Sequence, residues 1–215
     1  MLFRSATKYR MAQYDTFRDV TKCNYLSKQI IQAKIHTQIQ FLKSTNRPDV
    51  MDGILKMQRT QQKEAITSRL YFDNYTKLFD DRFGFTKRNS IKVMKNNATD
   101  VINALLNYGY SVLAGQISAY ISGVGLDVYY GFMHKNHTSF QSLVYDMMEP
   151  FRWLVDCAVW KMSENKSIHR ISKKQYTHTR DGNVILEYDL IRKFLELLER
   201  SFQKERKYGY KHGAK

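Results

Sequence analysis

The chain has almost no proline and almost no cysteine. Of its 215 residues only Pro48 and Pro150 lack a backbone N–H, and only Cys23 and Cys157 carry a thiol. Two cysteines cannot build a disulfide framework, and neither has metal-ligand spacing, so a stapled secreted scaffold and a cysteine-based zinc site are both excluded. Nothing at the start resembles a secretory signal, which makes a reducing cytoplasm the expected location. Acidic residues are also scarce: 20 Asp and Glu stand against 35 Lys and Arg, a formal charge of +15. That imbalance favours polyanionic partners such as nucleic acid. Internal repeats, low-complexity segments, a Ser-His-Asp arrangement and a phosphate-binding glycine loop are absent as well.

What is present is helical periodicity over long stretches. Ile31, Ile35, Ile39 and Leu42 step by three and four, as do Leu190, Phe194 and Leu197, and these mark the first and last long helices. Asn46-Arg47-Pro48-Asp49 breaks the first, because proline disfavours a helical residue before it; Asp49 is placed to cap a shorter helix running towards Gln62. From Val101 to Leu126 no side chain is charged, a length sufficient to cross a bilayer. Asn103, Asn107, Gln116 and three serines argue against hydrocarbon and for a buried central helix. Gly109, Ala114, Gly115 and Ala119 would let neighbours approach, and Gly123 and Gly125 would end it. Asp181-Gly182-Asn183 is a turn signal ahead of a short Val-Ile-Leu run. The fold expected is all-α, a multi-helix domain around the central uncharged helix, with room for one short extended or hairpin segment.

Several residues have the chemistry of a divalent metal site, and each also has a purely structural explanation. Glu64 shares a stripe with Ser68, Tyr71 and Tyr75, so it is either an acid on an aromatic face or an exposed helix-start carboxylate stabilised by the dipole. His134 follows the apolar run Tyr129-Tyr130-Gly131-Phe132-Met133 and fits a satisfied core histidine as well as a ligand. Asp146 and Glu149, three apart, can converge on a cation, or can form a capping pattern before the apolar run that Pro150 opens. Trp153 and Trp160, seven apart, fit packing better than base stacking. The basic cluster that includes Arg170, Lys173, Lys174 and Arg180 is either a solvated face or a phosphate track.

Four runs change the weighting. Glu64-Ala-Ile-Thr-Ser-Arg-Leu-Tyr-Phe72, Asn103-Ala-Leu-Leu-Asn-Tyr-Gly-Tyr110, Gly131-Phe-Met-His134 and Ser142-Leu-Val-Tyr-Asp146-Met-Met-Glu149-Pro-Phe-Arg152 resemble, in order and spacing, the catalytic helical domain of the CRISPR-associated integrase family. The resemblance covers most of the chain from Arg10 onward. It implies an endonuclease and integrase that inserts spacer DNA into a repeat array by 3′-hydroxyl attack on a phosphodiester. It implies Glu64, His134 and Glu149 as ligands of Mg²⁺ or Mn²⁺, with Asp146 assisting. Asn103, Asn107, Tyr108 and Tyr110 match the family's most recognisable run, yet their first assignment is packing, with the asparagines and tyrosines bracing the site through hydrogen bonds. Expected partners are double-stranded DNA, a second copy in a homodimer, and the family's small companion adaptation protein; no membrane is expected.

By the same resemblance, residues 1–199 are expected to form the metal-dependent catalytic domain; the basic, apolar-poor composition after Arg200, with Gly209 and Gly213, makes 200–215 a partly disordered tail. Residues 1–13 would be the remnant of a linker to an N-terminal β domain that the sequence does not contain. The chain would then be a fragment, a shortened natural form or one piece of a split pair. The alternative function is an inactive helical module that holds DNA through phosphate contacts alone. A bundle with an oxygen-activating metal pair is disfavoured, because it needs a second Glu-x-x-His motif.

Overall fold

The structure is a computed structural model, which describes residues 2–60, 63–89, 98–134, 141–164 and 166–204. Its helices are α1 (Leu2–Arg18), α2 (Val20–Ser44), α3 (Met51–Arg59), α4 (Glu64–Thr76), α5 (Val101–Gly123), α6 (Ser142–Met148), α7 (Arg152–Ser163) and α8 (Tyr188–Gln203). Short 3-10 turns at Pro48–Val50, Glu149–Phe151 and Lys173–Gln175 redirect the chain. A two-stranded antiparallel hairpin, β1 (Tyr176–His178) with β2 (Val184–Leu186), completes the fold, with Thr177 opposite Ile185. The expected all-helical architecture with one short hairpin is what the chain adopts.

Local chemistry explains the boundaries. Asp19 caps α2 by accepting from the backbone N–H groups of Thr21 and Lys22 at 2.9 and 3.1 Å. Asp100 does the same for α5, accepting from Asn103 N at 2.7 Å. Asp49 does not cap the helix after Pro48. Its carboxylate is taken by Arg47 in a two-pronged contact at 3.0 and 2.9 Å, because the 3-10 turn places both residues on one side. The expected helix towards Gln62 ends at Arg59; residues 61 and 62 lie outside the described residues.

α2, α4 and α7 run side by side in one direction. The pairings Lys34 with Glu64, Phe41 with Tyr75 and Phe41 with Trp160 climb all three elements together. Between them and α5 and α8 lies the core, built on Ile35, Leu42, Tyr71, Tyr75, Ile102, Leu105, Leu106, Val155, Val159 and Phe194. Trp153 and Trp160 pack against it, as their packing explanation requires.

The uncharged helix α5 is buried mainly along its first half, with Ile121 buried further on. Val101 to Leu106, Gly109, Tyr110 and Leu113 are buried, whereas Gly115, Gln116, Ala119 and Tyr120 are exposed. Absence of charge there reflects small and neutral polar residues at the surface, not burial. Of the small residues expected to admit neighbours, Gly109 does so: a β-carbon at this position would meet Val155 Cγ1 at 2.5 Å and Phe194 Cζ at 2.7 Å. At Gly115 nothing lies within 4 Å. The helix α8 continues to Gln203, and residues 205–215 of the expected tail lie outside the described residues. No helix among the described residues is long and apolar enough to cross a membrane.

These two glycines give opposite expectations on one helix. Gly109→Ala should destabilise the chain by about 1–3 kcal/mol through overpacking, whereas Gly115→Ala should stabilise it by up to about 1 kcal/mol through helix propensity. Denaturant midpoints of the two variants decide it.

Candidate metal centre

The site is built around a residue that the sequence reading did not single out. Lys34 sits on the inward face of α2 with its side chain 11% exposed. Its Nζ lies 2.9 Å from Glu64 Oε1 and 2.7 Å from Glu149 Oε2. Glu64 is the first residue of α4 and its side chain is 37% exposed. Glu149 opens the 3-10 turn that Pro150 enforces between α6 and α7, and its side chain is 5% exposed. That turn is docked on α2 by Thr37, whose hydroxyl donates to Pro150 O at 3.0 Å. Both glutamates therefore point at one position between α2, α4 and the start of α7.

Glu149 is a buried acid and stays charged. Burial pushes its carboxyl up, but the charges of Arg152 and Lys34 outweigh this and hold it below its ordinary value. Arg152 Nε donates to Glu149 Oε1 at 2.8 Å. The Lys34 contact on Oε2 is an ion pair outside hydrogen-bond geometry, so this buried oxygen has no aligned donor.

Asp146 has a different task from the one its spacing suggested. It is completely buried, and it neither caps α7 nor faces the Lys34 position. Its Oδ2 accepts from the N–H groups of Phe132 and Met133 at 2.5 and 2.8 Å, and its Oδ1 accepts from His134 N at 3.0 Å. The same Oδ1 lies 2.6 Å from His134 Nδ1. The segment before His134 is thus wrapped around one carboxylate, and Gly131 lets it come that close: a β-carbon there would stand 2.7 Å from Asp146 Oδ2. The hydrogen bond to Asp146 raises the His134 imidazole above its ordinary value, against the opposing effect of burial. In the neutral ring this contact places the proton on Nδ1 and the lone pair on Nε2, the arrangement of histidine ligands oriented by a carboxylate.

The structure thus brings Glu64 and Glu149 together on Lys34, while the Glu149 charge has only a minor upward effect on the His134 imidazole. Among the described residues no three His, Cys, Asp or Glu side chains surround one point closely enough to hold a metal. The donor chemistry nevertheless fits a hard divalent cation. Two carboxylate oxygens already converge on a positive charge, one of them buried without an aligned donor, and an imidazole is prepared as a nitrogen ligand.

Beneath the site lies a second network. Arg152 stacks on the Tyr110 ring with its guanidinium carbon 4.7 Å from the centroid, and Arg88 approaches the same ring at 5.5 Å. Tyr110 and Tyr71 donate to the two oxygens of the fully buried Asp156, at 2.5 and 2.6 Å. Burial raises the Asp156 carboxyl to about 6, and the two phenols limit the rise. Arg88 also donates to Asn103 and Asn107, both at 2.7 Å, so these asparagines do brace the region below Glu149.

Sequence comparison now separates a family from a mere helical bundle. The family described as CRISPR associated protein Cas1 matches residues 3–200. This chain belongs to the Cas1 family. Among curated relatives, the CRISPR-associated endonuclease Cas1 2 of Saccharolobus solfataricus is 34% identical over 149 residues, 69% of this chain and 46% of the relative. The CRISPR-associated endonuclease Cas1 1 of Archaeoglobus fulgidus is 28% identical over 192 residues, 75% of this chain and 55% of the relative. The chain spans about half the length of these curated relatives. A casposase bound to its integration product superposes with a TM-score of 0.79 at 28% identity, covering 96% of this chain and 63% of the casposase. A chain of a partial Cas6-RT-Cas1–Cas2 complex has a TM-score of 0.83 at 20% identity over 96% of this chain and 66% of its own, a likeness of fold.

Within this Cas1 fold, Arg170, Lys173, Lys174 and Arg180 are exposed on the lead-in to the hairpin and on its turn. The sequence reading missed Lys34, Asp156 and Arg88. A signal for Lys34 existed: Ile31, Lys34, Gln38 and Phe41 step by three, four and three, which puts a lysine on the apolar stripe of α2.

Two measurements test these contacts. Asp146→Asn should return the His134 imidazole towards its ordinary value, seen as a downward shift of its titration by NMR. Asp156 binds its proton more tightly folded than unfolded. Its stabilising effect is therefore complete below about pH 4 and lost as pH rises through about 6. Relative to Asp156→Asn, the wild-type chain should lose about 3 kcal/mol across that interval, followed by denaturation at several pH values.

Proposed function

We propose that this chain is the helical catalytic part of a divalent-metal-dependent DNA endonuclease and integrase that inserts spacer DNA into a repeat array. The observation that carries it is the convergence of Glu64 and Glu149 on a single cation position in a Cas1-family chain; the contact of His134 with Asp146, which sets the imidazole's lone pair, supports it. Glu64, His134 and Glu149 would hold Mg²⁺ or Mn²⁺. Such an ion supplies Lewis-acid activation of a phosphodiester and lowers the pKa of an attacking hydroxyl. Asp146 orients the imidazole and keeps its proton on Nδ1. Arg152 keeps the Glu149 carboxylate ionised and turned towards the Lys34 position, and the Asp156 network fixes Arg152 from below.

Double-stranded DNA is the proposed substrate. The casposase neighbour bound to an integration product, the charge of +15 and the exposed Arg170, Lys173, Lys174 and Arg180 all support it. A small adaptation protein of the Cas2 kind, which accompanies Cas1 in the complex of similar fold, is the proposed companion. A homodimer is the proposed assembly. One observation favours a second reading. With Lys34 between the glutamates and no three-donor cluster among the described residues, a non-catalytic DNA-binding module is the alternative.

A strand-transfer and nicking assay on a branched DNA substrate separates the two. With Mg²⁺ or Mn²⁺ the wild-type chain should turn over, and Glu149→Gln or His134→Ala should reduce the rate by at least about 100-fold. DNA binding that persists with no metal-dependent turnover would establish the alternative.

A further inference from the structure

Lys34 is a costly residue to place where it is. An ammonium on the buried stripe of a helix needs compensation, and here two carboxylates from different elements provide it. The contacts are to Glu64 Oε1 and Glu149 Oε2, the oxygens that the proposed function assigns to a divalent ion. An ammonium 2.7 and 2.9 Å from these atoms occupies the space that a cation bridging both would need. Two cations cannot share that space: a divalent ion bridging both oxygens would overlap the ammonium, and at about 3 Å its repulsion exceeds the attraction of the ammonium to either carboxylate.

We propose that Lys34 and the divalent cation are mutually exclusive occupants of the glutamate pair, so that metal binding expels the Lys34 ammonium and releases it as a cation for a substrate phosphate oxygen. This rests on the metal reading of the site. In the Lys34-bound arrangement the ammonium holds the two glutamates in place against their mutual repulsion, so the carboxylates are kept close together for the ion. Lysine suits this exchange better than arginine, because its ammonium is a compact point charge on a flexible four-carbon stem. Exchange of one cation for another conserves the compensation of Glu149, and it couples ion entry to the appearance of a positive group at the cleft.

The sign of one measurement separates competition from simple scaffolding. Mn²⁺ is titrated into the full chain without DNA, and free Mn²⁺ is read by its electron paramagnetic resonance signal. If Lys34 competes, Lys34→Gln binds Mn²⁺ about tenfold or more tightly than wild type, while losing thermal stability in chelator and regaining it with Mn²⁺. If Lys34 only braces the glutamates, the variant binds Mn²⁺ equally or more weakly, which overturns the proposal. A second readout uses the wild-type chain and does not depend on the variant folding. Acetylation of Lys34, quantified by mass spectrometry, should rise when Mn²⁺ is added; unchanged or reduced labelling overturns the proposal. Wild-type binding without a gain in Lys34→Gln sinks only the competition. Absence of Mn²⁺ binding in wild type, Lys34→Gln and Lys34→Arg alike sinks the metal reading itself, and this inference with it.

Discussion

The placement of one buried ammonium between two carboxylates governs the architecture around the site. Glu64 begins α4, Glu149 stands at the kink between α6 and α7, and Lys34 lies in the middle of α2, so a single charge cluster fixes three elements that the chain brings together from far apart in sequence. Removing one member of such a buried cluster typically costs about 3–5 kcal/mol, because an uncompensated charge is left behind. This explains how two charged residues, Lys34 and Glu149, can be buried in a chain whose α2 also buries Ile35, Ile39, Phe41 and Leu42. The kink at Pro150 is part of the same constraint, since a continuous α6–α7 helix would keep its carbonyl groups from the Thr37 hydroxyl.

From Glu149 the constraint passes inward through Arg152. Its guanidinium bonds one oxygen of Glu149 and stacks on Tyr110, whose hydroxyl donates to Asp156, which also accepts from Tyr71 on α4. The path begins on one carboxylate, ends on another, and returns to the helix that carries Glu64. Two cations face the first acid and two phenols donate to the second.

The helical architecture was legible because its signals are local. The step-of-three-and-four pattern at Ile31, Ile35 and Ile39, the break at Pro48, the glycines at the end of α5 and the turn at Asp181-Gly182-Asn183 each act within a few residues. The four runs also gave the family. What was not legible depends on distant pairing. Lys34 sits thirty residues before Glu64, and nothing near it says that its partners are acidic; its only mark is its place on an apolar stripe. Asp49 looked like a cap because capping is a local rule, but a neighbouring arginine competed for its carboxylate. The later half of α5 looked buried because it has no charge, yet burial depends on what packs against it.

The contrast between Asp146 and Glu149 shows why spacing could not rank them. Both are buried, three residues apart, and on paper either could ligate a cation. A carboxylate has about four lone-pair sites, and those of Asp146 are taken by three backbone N–H groups and the His134 ring. Those donors belong to the chain itself, and leaving them would unwind the segment before His134. Glu149 is held by two cationic side chains instead, one of them outside hydrogen-bond geometry. A contact to a side-chain ammonium on a flexible stem can be exchanged for another cation, whereas a contact to backbone N–H groups cannot be given up without unwinding the segment. Availability to an ion is thus decided by what satisfies each acid, so Asp146 serves by shaping the loop and Glu149 by facing the cation position.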